Sequence, residues 1–433
     1  MKETYRIFEY GSFVREKQIN GYVSLKSKVF DALENFILSN VDENDSSLDL
    51  MGISVKKGAG KVITAKNYVG IISMKDGTSI EILPKVFSKK HSADSNSEEI
   101  YVKSKKLLID MIKTLNDSPY KTVQMSNLSI ANINVFEIFI RMFINEVFFI
   151  AKKGLKSGYE TVQSNENFFK GKMKFKGQIR YNYVHKERSY VEYDEFNLNR
   201  AENKIIKATL NYLYKISGSV KNKNDIKTLL YSFNDVDESM NYEDDFRKII
   251  PDRNTKEYET ALRWSKVFLH GKSFTSYSGS EIAIALLFPM ETLFENYVAA
   301  QLRKVVSVSE YKIALQDKSK HLFNEPKRFQ MRPDILLTRK NDKKTYVMDT
   351  KWKLLSSNKP NYGISQADMY QMYAYQKKFD SENVTLIYPY TEAIPLDEEI
   401  QYAAYDNVMV RVVFVDLFDI KNSLINVVQT ITE

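Results

Sequence analysis

Apolar positions recur with three different patterns along this 433-residue chain. Up to about residue 90 the runs are short and rich in β-branched residues. Residues 62–72 and 79–83 read as strands joined across Lys75-Asp76-Gly77-Thr78, where Asp-Gly is a hairpin turn signal and Pro84 closes the second strand. Residues 88–99 are polar and read as a loop or linker. From about 100 to 280, three- and four-residue spacing predicts helices over 101–115, 133–153, 197–216 and 255–270, the last with Gly271 placed as its cap. Residues 222–245 are polar and without a clear period. Beyond 281 the pattern predicts a helix over 282–306, restarted at Pro289, then strands at 334–337 and 345–348, a helix at 366–379 and strands at 384–388 and 408–415. The expected fold is α/β with a β-rich N-terminal domain (1–90), a mainly helical middle region (100–280) and a C-terminal α/β domain (281–433).

Composition narrows the function classes. Hydrophobic residues make up 43% and charged residues 27%, which is globular. Residues 1–10 lack an apolar core for a signal peptide, and Glu137, Arg141, Asn145 and Glu146 interrupt the apolar run 136–151, so neither secretion nor a membrane span is expected and the default location is cytoplasmic. With no cysteine, disulfides, thiolate zinc sites, cysteine-ligated clusters and cysteine nucleophiles are excluded. His91, His185, His270 and His321 are scattered and form no ligand motif. Lys56-Lys57-Gly58-Ala59-Gly60-Lys61 imitates a phosphate loop, but its leading Gly is misplaced and Val62 stands where Ser or Thr is needed, so any nucleotide hydrolysis must come from a partner.

The net charge of +8 is uneven. Residues 281–433 hold 19 basic and 20 acidic residues, whereas 151–190 hold ten basic and three acidic. Within the latter, Lys170, Lys172, Lys174 and Lys176 alternate with Gly171, Met173, Phe175 and Gly177, followed by Arg180. A period of two puts the lysines on one face of a ribbon spanning 168–181. That face is either phosphate-binding or the wet side of a sheet whose lysines protect its edge.

The chemistry concentrates after residue 290. Arg332-Pro333-Asp334 opens one predicted strand and Asp349-Thr350-Lys351 ends the next, with the polar turn 339–343 between them. Antiparallel pairing brings Asp334 and Asp349 together. Two carboxylates and the Thr350 carbonyl are hard oxygen ligands suited to Mg²⁺, with Mn²⁺ as a substitute. Lys351 shares a strand face with Asp349 and is placed to position water or stabilise developing charge. In the preceding helix, Glu291 and Glu295 are four apart and share a face. In the following helix, Gln371 and Tyr375 share a face. Trp352 is expected to pack rather than stack on a base.

This layout resembles the active-site pattern of the PD-(D/E)XK nuclease superfamily, whose members often supply one more acid from the preceding helix, which implies Glu295 with Glu291 in reserve. Gln371-x-x-x-Tyr375 resembles its RecB-like branch, which implies that Gln371 and Tyr375 support the site. Longer blocks are similar to the McrC family: residues 62–70 with 80–85, 154–159, the 169–180 segment, 288–295, Arg332-Pro333-Asp334, Asp349-Thr350-Lys351-Trp352-Lys353 and 370–375. The family more often has Ala where Thr350 stands, and only that position's backbone is expected to touch metal. Residues 88–99 and 222–245 read as insertions. The resemblance implies a C-terminal restriction-endonuclease-like domain with a mixed sheet flanked by helices. It implies a Mg²⁺-dependent endonuclease subunit of a modification-dependent restriction system, acting on double-stranded DNA. The implied partner is a McrB-like hexameric AAA+ GTPase that the N-terminal region docks on and stimulates, with a contact between two McrC chains bridging two rings. Alternatives are an activator of such a ring with dispensable nuclease activity, or a stand-alone RecB-like repair nuclease.

Overall fold

The computed structural model describes residues 3–38, 51–86, 97–115, 134–249, 256–270, 282–395 and 398–432. The chain divides into two compact units, one formed by Met1–Lys121, Asn127–Val135 and Tyr277–Glu433, the other by Thr122–Ser126 and Phe136–Ser276.

The first unit begins with β1 (Thr4–Phe8), β2 (Ser12–Arg15), β3 (Tyr22–Leu25), α1 (Ser27–Leu38), β4 (Met51–Lys56), β5 (Gly60–Ala65), β6 (Tyr68–Met74) and β7 (Ser79–Leu83). One sheet has the order β3-β2-β5-β4. The turn from β4 to β5 is Lys56-to-Gly60, so the Gly-rich segment that imitates a phosphate loop is a hairpin bend with no helix behind it. The expected turn at Asp76-Gly77 forms, with Gly77 at φ 88° and Asp76 Oδ1 accepting from the Thr78 N–H at 2.8 Å, but the expected strand 62–72 is two, β5 in one sheet and β6 beside β7 in another. Next comes α2 (Ser97–Ile112), which packs on β7. Most of the expected 88–99 loop lies outside the described residues.

The second unit holds most of α3 (Val135–Lys153), then β8 (Gly158–Glu166), β9 (Lys172–Met173), α4 (Phe175–Asn182), β10 (Ser189–Asn197), α5 (Ala201–Ile216), α6 (Val220–Ser232), α7 (Tyr242–Lys248) and α8 (Glu259–His270). Its helical core gathers Phe139, Phe143, Trp264 and Phe268, with the Trp264 and Phe268 rings stacked at 5.1 Å. The polar 222–245 stretch is mostly helical. Ser219 caps α6 and Asn241 caps α7 through side-chain oxygens, a local signal that outweighs the missing apolar period.

The lysine ribbon is corrected. Only Lys172–Met173 pairs as a strand, against β10, and the chain turns into α4 at Phe175. The alternation belongs to glycines that permit close approach, not to a pleat. Gly171 has φ 74°, and a Cβ there would meet the Glu192 carbonyl oxygen at 2.3 Å, while one on Gly177 would strike the Tyr190 ring. Lys170, Lys172, Lys174 and Lys176 therefore do not share a face. Lys174 pairs with Glu192 at 2.7 Å, and Lys170 lies 3.8 Å over the Tyr193 ring. Arg180 sits exposed on α4.

The chain then returns to the first unit with β11 (Ile282–Pro289) and α9 (Met290–Val305). Here the expected helix over 282–306 is corrected in its first eight residues. They form a strand antiparallel to β6, giving the order β1-β7-β6-β11. Seven apolar residues closed by a proline suit a buried strand, and Ala285 to Phe288 are all buried; a helix begins only once Pro289 has acted as its N-cap. Gly70 makes the pairing fit, because a Cβ there would lie 1.9 Å from the Leu286 carbonyl oxygen.

The remaining elements are β12 (Tyr311–Leu315), β13 (His321–Asn324), β14 (Lys327–Gln330), β15 (Ile335–Arg339), β16 (Thr345–Thr350), α10 (Gln366–Phe379), β17 (Asn383–Pro389), β18 (Ile400–Ala403), β19 (Met409–Val415) and α11 (Ile420–Thr432). A six-stranded mixed sheet runs β12-β15-β16-β17-β19-β18, with β16, β17 and β19 parallel. Met372, Tyr375 and Phe379 of α10 pack over Val347, Leu386 and Val412 on one face. Helices α9 and α11 pack on the sheet as well, and Asn383 donates to the last-turn carbonyl of Ile431 at 2.9 Å. No helix among the described residues is long and apolar enough to cross a membrane.

Candidate functional site

Antiparallel pairing of β15 with β16 sets the site. Asp334 stands immediately before β15, and Asp349 and Thr350 end β16. The Thr350 N–H and hydroxyl both donate to Asp334 Oδ2, at 2.8 and 2.7 Å. The Thr350 side chain thus holds Asp334, in addition to the backbone contact expected of that position. Asp349 is 2% exposed, and Lys351 Nζ lies 2.6 Å from its Oδ2. A strand's period of two, continued one residue past β16, produces that pairing.

Helix α10 places Gln371 and Tyr375 beside Lys351. Lys351 Nζ donates to Gln371 Oε1 at 3.3 Å, and Gln371 Nε2 donates to the Tyr375 hydroxyl oxygen at 2.8 Å, which fixes the amide with its oxygen toward the lysine. Asp368, one turn earlier, adds a second carboxylate 3.9 Å from Lys351 Nζ.

Of the two acids on α9, Glu295 joins the group and Glu291 does not. Gln316, left-handed at φ 50° just beyond β12, donates to Glu295 Oε1 and also to Asp334 Oδ1 at 3.0 Å. Glu291 instead accepts from Asn67 at 2.6 Å. The sequence carried no signal for Gln316, which belongs to no motif. Asp368 was legible only as one turn before Gln371.

The electrostatics follow from crowding carboxylates in a buried place. Burial, then Asp334, push Glu295 up to about 7, and burial with the same neighbour pushes Asp349 up to about 7 against the pull of Lys351. Burial pulls the Lys351 ammonium down, but Asp349 and Asp368 outweigh it and leave its pKa above the ordinary value. Among the described residues, no three acidic or histidine side chains already surround one point as a finished cage. The donor set instead fits a hard divalent cation held by one or two carboxylates and completed by water, whose charge would relieve the repulsion that raises Asp349 and Glu295.

Trp352 packs as expected and does one thing more. It is 8% exposed, meets the Phe294 ring edge-on at 5.3 Å and donates its indole N–H to Glu9 at 2.9 Å. Glu9 also accepts the Lys85 N–H at 2.9 Å. Burial raises Glu9 from an ordinary 4.5 to about 7, offset in part by those two donors. Between these values the folded chain binds the extra proton. This contribution is therefore complete below about pH 4.5 and is lost as pH rises through about 7. Glu9→Gln is expected to remove roughly 3 kcal/mol of the stability loss between pH 5 and 8, seen as a flatter pH dependence of chemical denaturation. Parallel wild-type and variant profiles would contradict it.

Comparison with known proteins agrees with this picture. A family described as "McrBC 5-methylcytosine restriction system component" matches residues 63–389. None of the curated proteins matches the chain. Among solved structures, a chain of the refined half-complex from the tetradecameric assembly of Thermococcus gammatolerans McrB AAA+ hexamers with bound McrC is 18% identical. The match has a TM-score of 0.67 and covers 99% of this chain and 100% of that one. The cryo-EM structure of the Thermococcus gammatolerans McrBC complex matches with 19% identity and a TM-score of 0.48, over 71% of this chain and 89% of that one. Since the family match takes in both the β6–β7 hairpin and the strands and helix of the carboxylate site, the chain belongs to the McrBC 5-methylcytosine restriction system components, as a McrC-family member.

Proposed function

We propose that this chain is the Mg²⁺-dependent endonuclease subunit of a GTP-dependent, modification-dependent restriction system, with a C-terminal domain of the PD-(D/E)XK type. The observation that carries the reading is the convergence of Asp334, Asp349 and Lys351 at the ends of two paired strands, with Glu295 drawn in through Gln316.

Asp334 and Asp349 would hold the ion, with the Thr350 carbonyl and Glu295 as further oxygen donors. The bound ion would supply positive charge to the scissile phosphate and to the attacking water. Lys351 is aimed at the same place and stabilises charge developing on the phosphate or orients the water. The Tyr375–Gln371 pair holds Lys351 in register, and the Thr350 hydroxyl holds Asp334. Duplex DNA is the substrate. An AAA+ GTPase hexamer of the McrB kind is the partner, docked and stimulated by this chain.

The test combines purified chain, a McrB-like partner, GTP and methylated duplex DNA. Cutting is expected with Mg²⁺ or Mn²⁺ and none with EDTA, alongside a rise in the partner's GTP hydrolysis. Cutting unaffected by EDTA would refute the metal. For the docking half, point variants are cleaner than deletion of residues 1–90, because that deletion removes β1, β6 and β7 from the sheet that contains β11.

A further inference from the structure

Between Gln316 and Asp334 the chain leaves the six-stranded sheet and comes back, and the excursion is the hairpin β13–β14. Its base is closed by the candidate site itself. The Gln316 N–H donates to the Asp334 carbonyl at 3.0 Å, the Met331 N–H to the Lys320 carbonyl at 2.9 Å, and Gln330 Nε2 to the Lys318 carbonyl at 2.9 Å. β13 lies beside α10, the helix that carries Gln371 and Tyr375.

Every position from Leu322 to Gln330 is exposed. Two of them are aromatic: Phe323 and Phe329 are 55% and 72% exposed and meet edge to face at 5.9 Å. Phe329 is left-handed at φ 56°, a costly conformation for an aromatic residue, and no burial of its ring accompanies that cost. The charge is equally local. Residues 317–333 hold five basic residues (Lys318, Lys320, Lys327, Arg328, Arg332) against Asp317 and Glu325, inside a region from 281 onward with 19 basic and 20 acidic residues. A near-neutral region thus has a local excess of positive charge on and beside a hairpin whose stem is the acidic site.

We propose that this hairpin is the duplex-DNA grip of the site, with its Lys and Arg residues on phosphates beside the scissile bond. The Phe323–Phe329 pair is an apolar wedge against a base step in the minor groove. The occupant is committed to DNA by charge complementarity and by continuity with Asp334, and the proposal rests on the nuclease reading above.

The experiment uses the full-length chain in EDTA, so that no cutting occurs, and follows a short fluorescent duplex by anisotropy across a salt series. Lys327→Ala with Arg328→Ala is expected to lower the magnitude of the log–log salt slope by about 2, and Phe323→Ala with Phe329→Ala to weaken binding about tenfold or more without changing the slope. Lys421→Ala on α11 serves as the control and leaves both unchanged. Circular dichroism of the exposed-hairpin variants should match wild type. Duplex affinity within twofold of wild type for both hairpin variants overturns the proposal, as does a wild-type chain that does not bind duplex. Unchanged duplex affinity with lost binding to the AAA+ partner overturns it too and assigns the pair to a protein contact. Cutting is assayed separately. If Asp349→Ala cut normally, the nuclease reading would fall while the anisotropy result still decided the hairpin.

Discussion

Lys351→Ala is expected to lower DNA cleavage about 10²–10³-fold in kcat, with duplex affinity kept, and Asp349→Asn to lower it at least as far. The two effects have different origins. Lys351 Nζ stands 2.6 Å from Asp349 and 3.9 Å from Asp368, so removing it takes positive charge from the place where, on the proposed reading, phosphate charge would develop. Lys351→Arg is not expected to rescue activity, because a planar guanidinium fork does not replace a point ammonium in that space. On the proposed reading, Asp349→Asn removes a charge that would hold the metal instead. It should not destabilise the metal-free protein at pH 8. Asp349 is buried and its pKa is raised to about 7, so at pH 8 the wild type carries a desolvated charge that Asn lacks. Lost cutting with unchanged or increased stability is the signature of a functional carboxylate rather than a structural one. Cleavage within tenfold of wild type for either variant would sink the assignment.

What could be read beforehand follows the range of the interactions. Helix α10 matches the expected 366–379, and Gln371 and Tyr375 meet because residues four apart on a helix share a face. The Asp349–Lys351 pair follows from strand periodicity, and the β6–β7 turn from its Asp-Gly pair. Gln316 could not be read, because its two partners are 21 and 18 residues away and its conformation has no local signal. Nor could the bond from Trp352 to Glu9, which spans 343 residues. Local pattern also misled. Alternating lysines imitated a pleat, although Gly171 and Gly177 are there for close approach. The apolar run 282–289 imitated a helix although it closes a sheet begun by residue 4.

Glu81 carries the second large expectation. It sits in the middle of β7, whose five residues are all buried, where an apolar residue would ordinarily be placed. Lys105 of α2, itself 3% exposed, donates to both of its oxygens at 3.0 and 3.2 Å. The Val135 N–H donates at 2.9 Å, and Arg6 lies 3.6 Å away. Burial already pulls Lys105 below its ordinary pKa, and Glu81 is what holds it up. Glu81→Ala strands that cation and leaves the Val135 N–H without its acceptor, so a loss of about 3–5 kcal/mol is expected in chemical denaturation. Glu81→Leu with Lys105→Met should recover the part due to the stranded ammonium and keep the cost of the Val135 N–H, because two apolar side chains of similar volume need no ionic compensation. The deficit of Glu81→Ala should also shrink as pH rises from 7 toward 10. Lys105 would be neutral in the folded variant but protonated when unfolded, so the unfolded state binds the extra proton and stability climbs with pH. A deficit that stays flat over that range, or a double variant no more stable than Glu81→Ala, would mean that the strand tolerates the charge by some route other than this pair.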